Sequence, residues 1–184
     1  MNKVKYLLTY RYAEIIHDLT VIFTTKYIDY KSRTKDQMDQ AARSGKQNIV
    51  EGVSEIASLK SQIKLLGVSL ASFEELTTDC EDFLRQHGLE IYPKTHLKVA
   101  EFRKLAYRLS NLSNLGDLGN LIESATLPGN PTDNANFLLT LCHIETYLLS
   151  KQIKAAEEKF IKEGGYTENL FKKRLDYLKS KSLK

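Results

Sequence analysis

Glu14 and His17 stand three residues apart in Glu14-Ile15-Ile16-His17, the spacing with which helical bundles offer a carboxylate and an imidazole to one metal ion. A di-iron centre needs that pattern on two helices, with further inward carboxylates. His87, His96 and His143 have Leu84, Pro93 and Thr140 at the corresponding positions, so the pattern occurs once. Glu74, Glu75, Asp79, Glu81 and Asp82 crowd one stretch, but helical geometry spreads them around the axis. That suits a solvated face, or a surface that pairs with basic segments, better than a calcium or magnesium cage. Cys80 and Cys142 form no CxxC pair, and Cys142 and His143, as helix neighbours, point apart. There is no glycine-rich phosphate loop and no nucleophile elbow. The residues therefore predict no catalytic group, no metal, no cofactor and a non-enzymatic role.

Chemistry of another kind sits in Thr34 to Gly52, TKDQMDQAARSGKQNIVEG. Arg43 and Lys46 share one side of a helix, with Lys35 nearby, and Lys60 and Lys64 extend a basic stripe onto the next helix. The planar guanidinium fork suits phosphate, so these five are the candidate nucleic-acid-binding residues. The competing reading makes Arg43, Asn48 and Glu51 a polar brace between helices or subunits, and leaves Lys60 and Lys64 on a solvated face.

The same stretch holds Gly45 and Gly52, each costing a helix about 1 kcal/mol relative to alanine. Ala41, Gly45, Asn48 and Gly52 fall at i, i+4, i+7 and i+11, one stripe along which another helix can come close. Together with Glu51 and Glu75 they form the expected helix-packing motif. Around it, periodicity predicts helices over Lys5–Tyr30, Thr34–Ile56 with Thr34 and Gln37 as a capping box, and Leu59–His87 capped by Ser58 and closed by Gly88. A fourth runs over Thr95–Leu109. Leucines 109, 112, 115, 118 and 121 repeat every three residues among Ser, Asn and Gly, which predicts an irregular or 3₁₀-like end. Asn130-Pro131 starts a fifth helix that continues to Glu163, and Thr167 caps a sixth over Glu168–Leu178. These segments predict an all-α fold. Residues 1–127 are expected to make an antiparallel up-down four-helix bundle, and residues 128–184 a helical extension that packs on the bundle or a neighbouring subunit.

The 184 residues are 42 % hydrophobic and 27 % charged, ordinary values for a globular domain. No run of about 18 apolar residues is present, so no membrane span is expected. The first nine residues lack the pattern of a secretory signal, and two cysteines suit a reduced, cytoplasmic setting. The net charge of +4 is uneven. Residues 61–150 hold 7 Lys/Arg against 11 Asp/Glu, giving −4, whereas residues 151–184 hold 10 against 5, giving +5. Such asymmetry permits an anionic partner, or head-to-tail pairing within an oligomer.

RTKDQMDQAARSGKQNIVEG followed by SLASFEEL resembles the bacterial four-helix bundle family that includes the intervening-sequence proteins encoded within large ribosomal RNA genes. The retroelement accessory variability protein has a similar bundle. Ala135 to Leu175 looks like the "suffix" extension of one subgroup, which the retroelement proteins lack. Arg43, Asn48, Glu51 and Gly52 match the family's RxxxxNIxEG pattern, and Glu75 its SLxEL pattern. The resemblance implies an antiparallel four-helix bundle and assembly into a homo-oligomeric ring, often a pentamer. In the retroelement relatives it implies RNA or DNA binding through a basic surface beside a protein partner. Two roles follow as expectations: a nucleic-acid-associated accessory scaffold, or a structural homo-oligomer whose extension supplies the protein-binding surface.

Overall fold

A computed structural model of the chain describes residues 3–54, 58–110 and 126–182. A 3₁₀ turn, Lys3–Tyr6, leads into α1 (Leu8–Tyr27), α2 (Arg33–Ser54), α3 (Leu59–Gln86), α4 (Leu97–Ser110), α5 (Pro131–Glu163) and α6 (Tyr166–Ser182). The fold is all-α, as the periodicity predicts, and its helices pack on one another as a bundle. The leucine row over 112–121 lies outside the described residues.

Cross-helix bonds give the directions. Thr24 bonds to Asp39 and His17 to Lys46, so α2 runs against α1. Gly45 meets Ser69 and Gly52 meets Leu65, so α3 runs against α2. Thr9 bonds to Gln152 and Asn134 to Tyr27, so α5 runs against α1. The long helices therefore alternate up, down, up, down through α1, α2, α3 and α5. The helix that completes the four is α5, where Thr95–Leu109 was expected. The reason is length and apolarity. At about 1.5 Å per residue, the 14 residues of α4 span roughly 21 Å, whereas the 33 of α5 span roughly 50 Å. Residues Phe137, Leu138, Leu141, Cys142 and Leu149 of α5 belong to the same core as Ile16, Leu19, Ile49, Phe73 and Leu76. The part of residues 128–184 up to Leu149 thus shares the core of α1, α2 and α3. Helix α4 lies against α5 and α1, with the Phe102 ring 5.4 Å from that of Phe137.

The helix ends follow local chemistry. Ser58 Oγ accepts from the Ser61 amide, Asn130 Oδ1 accepts from the Asp133 amide ahead of Pro131, and Gly88 adopts φ +64° where the chain leaves α3. Two expected caps are displaced. Thr34 lies inside α2, and its amide donates to Ser32 Oγ at 3.2 Å, because a turn with Ser32 N bonded to Asp29 O brings Ser32 to the helix start. Thr167 lies inside α6, where the Glu168 carboxylate instead takes the Gly165 amide.

Candidate interaction surface

The small-residue stripe of α2 faces α3. A Cβ built on Gly45 would stand 2.5 Å from the Phe73 ring, and one on Gly52 3.2 Å from Leu65 Cβ. At this approach Ser69 Oγ donates to the Gly45 carbonyl at 2.8 Å, and Ser72 Oγ to Ser44 Oγ at 3.2 Å. Ala41 is buried beside them. The close nesting thus has its polar groups satisfied by short serine hydroxyls, not by the expected brace. Asn48 donates to Ser44 O and Oγ on its own helix, Glu51 accepts from Gln47, and Arg43 is exposed. Long side chains would hold apart two backbones that glycine and serine bring together.

The five basic candidates do not converge. Lys35 Nζ lies 2.6 Å from Asp39 Oδ2 and 3.3 Å from Thr24 Oγ1, and Lys46 Nζ lies 3.1 Å from His17 Nδ1, so both serve the α1–α2 seam. Arg43, Lys60 and Lys64 are exposed and have no ion-pair partner among the described residues. Lys64 lines a shallow dip with Glu51 and Ser61, while Glu75 shares another with Arg33 and Ser44.

Two carboxyls that sequence reasoning missed lie on α5. Asp133 accepts two bonds from Lys98 Nζ at 2.7 Å, one from the Tyr92 hydroxyl at 2.8 Å and one from Asn130. Burial alone would raise its pKa, but these donors outweigh burial and hold it below the usual carboxylate value. Its neighbour Asn134 ties Gly129 and the Tyr27 hydroxyl to the helix, and Asn136 ties Tyr92 N and Glu90 O. Glu145 is the opposite case. It is 0 % exposed, and neither carboxyl oxygen has a hydrogen-bond partner among the described residues. Burial pushes its pKa well up, favouring the neutral acid. The available signal was position: Glu145 stands i+4 from Leu141 and i−4 from Leu149, inside the apolar stripe. Burial also raises the thiols of Cys80 and Cys142, the latter to about 12, so neither is an activated nucleophile. Among the described residues no group of three or more His, Cys, Asp or Glu could hold a metal ion. No helix there is long and apolar enough to cross a membrane.

Among the described residues, exposed large apolar side chains gather at the C-terminal end. Leu149 is the last buried residue of α5, and Ile161 is 80 % exposed. Helix α6 buries no side chain over residues 166–181. Tyr166, Leu170, Phe171, Leu175, Tyr177 and Leu178 cover about half of its circumference, with Arg174 among them, Lys173 and Lys179 along the two edges and Lys172 just beyond. The outward side of α3 carries exposed Glu74 and Glu75, with Asp82 held by Arg85 at 2.7 Å. Asp79 between them has its pKa raised by burial first and then by the charges of Glu75 and Asp82, the mark of a locally negative surface. Compared with known proteins, the chain matches no family model, no curated protein and no solved structure.

Proposed function

We propose that the protein is a non-enzymatic, self-associating scaffold in which α6 of one copy docks on the acidic outer side of α3 of the next. The observation that carries this reading is the uncovered apolar half of α6. A 17-residue helix in water draws most of its stability from packing its apolar face, and soluble chains rarely leave a contiguous patch of this kind bare. Charge argues for a second copy as the cover: residues 151–184 carry +5 and residues 61–150 carry −4. Because the docking patch and the docked patch differ, the contact is head-to-tail, and closure gives a ring. This matches the ring, often of five subunits, implied by the resemblance to the intervening-sequence proteins. Two buried, unbridged thiols fit a reduced, cytoplasmic setting.

A charge exchange tests the reading. Lys172→Glu with Lys173→Glu and Arg174→Glu should reduce the assembly to monomers in native mass measurement. Adding Glu74→Lys and Glu75→Lys should restore it. Unchanged mass in the first variant would remove the proposal.

A second reading, association with nucleic acid, draws on exposed Arg43, Lys60 and Lys64, which pair with no carboxylate among the described residues. Repeated around a ring, a weak cationic patch gains avidity. On this reading RNA binding falls steeply with salt and with Arg43→Glu plus Lys64→Glu. No mobility shift at low salt would sink it.

A further inference from the structure

A groove of about 360 Å³ lies across α5 between α3 and α4, at the lower end of the 300–1,000 Å³ typical of small-molecule sites. Val99 of α4 and Leu139 and Ile144 of α5 give it an apolar floor, and the half-exposed Tyr147 ring flanks it. Its polar rim is Lys94, Arg103, His143 and Glu81. None of these four side chains has a hydrogen-bond or ion-pair partner among the described residues. Lys98, on the same helix as Arg103, is engaged by Asp133. One wall is set in advance: Asn136 holds Tyr92 N and Glu90 O at 2.8 Å, and Tyr92 stacks on His96 with centroids 4.2 Å apart. A ligand therefore meets a formed surface and forgoes little ordering entropy.

We propose that this groove binds a small planar aromatic anion, its ring on Val99, Leu139 and Ile144 and its charged group between Arg103, Lys94 and His143. Two cations without counterions select a negative charge, and the floor and tyrosine select a flat apolar body. Glu81 at the rim is repelled by a second negative group, which favours a compact anion over a polyphosphate. Burial first, and then Lys94 and Arg103, hold the His143 imidazole below its ordinary pKa, with Glu81 opposing. An anion placed between these groups favours the charged imidazolium, so ligand binding and His143 protonation are linked.

The test is calorimetric titration of the full chain with benzoate and phenyl phosphate, with phenol and inorganic phosphate as partial probes. The expected result is that at least one aromatic anion binds about tenfold or more tighter than both partial probes. The tighter of the two anions names the headgroup. Arg103→Glu and Lys94→Glu, both at exposed positions, should each weaken binding about tenfold or more without changing the thermal midpoint. The His143 ring resonances should titrate at higher pH in the complex. Absence of saturable binding by either anion, or binding unaltered in both variants, would overturn the proposal.

Discussion

Helix α5 is one continuous helix in two environments. From Pro131 to Leu149 it lies in the core beside α1 and α3, and five of its polar residues there, Asp133, Asn134, Asn136, Thr140 and Glu145, are buried. From Ser150 to Glu163 and on through α6, the same kind of apolar stripe continues with little to cover it. The sequence period hardly changes between the halves. Amphipathicity specifies that a face must be covered; whether the cover comes from the same chain depends on which helices run alongside. Changes in the core half should alter stability and leave assembly intact, and changes in the bare half should do the reverse.

The largest expected effect is Phe137→Ala. The ring is fully buried against Phe102, and its removal should cost about 3–5 kcal/mol in denaturant unfolding. Next comes the α2–α3 seam. Gly45→Ala should destabilise by about 1–2 kcal/mol, because overpacking against Phe73 exceeds the gain in helix propensity. The loss should shrink in a Phe73→Leu background, which a double-mutant cycle would detect.

The two α5 carboxyls sharpen the comparison through opposite pH dependences. Asp133→Asn should cost about 1–3 kcal/mol at neutral pH by weakening the bonds from Lys98 and Tyr92. Since the folded pKa of Asp133 is depressed, its contribution is present above the unfolded value near 4 and fades as pH falls through the folded one. Glu145 has a raised folded pKa, so wild-type stability falls as pH rises from about 4 through that value. Glu145→Met should therefore raise the thermal midpoint at pH 8 by about 2–4 °C, and by less at pH 4. A flat difference across pH would show that Glu145 titrates normally. The smallest stability effect belongs to the bare half: Leu170→Ser with Phe171→Ser should change unfolding of the bundle by less than about 0.5 kcal/mol.

What was legible in the sequence was local. Gly45 and Gly52 contradict helix propensity, and that conflict points to close packing, which the approaches to Phe73 and Leu65 bear out. Ser58, Gly88 and Asn130-Pro131 announce helix ends within a few residues. What escaped depends on distant partners. Ser32 and Thr34 are both good caps, and only the turn at Asp29 decides between them. Both α4 and α5 are amphipathic, and periodicity cannot say which completes the four. Lys46 reads as a free cation until α1 brings His17 beside it. Asp133, Asn134 and Asn136 read as an ordinary polar first turn until residues 90–98 and Gly129 close over them. Glu145 could have been flagged from its place in the stripe, but a lone polar residue there signals burial without saying what surrounds it.

Self-association through α6 is tested most directly by sedimentation of the wild-type chain beside the Leu170→Ser, Phe171→Ser variant. The wild type should sediment as a multiple of 21.0 kDa and the folded variant as a 21.0 kDa monomer. A wild-type chain that remains at 21.0 kDa throughout the micromolar range would contradict it.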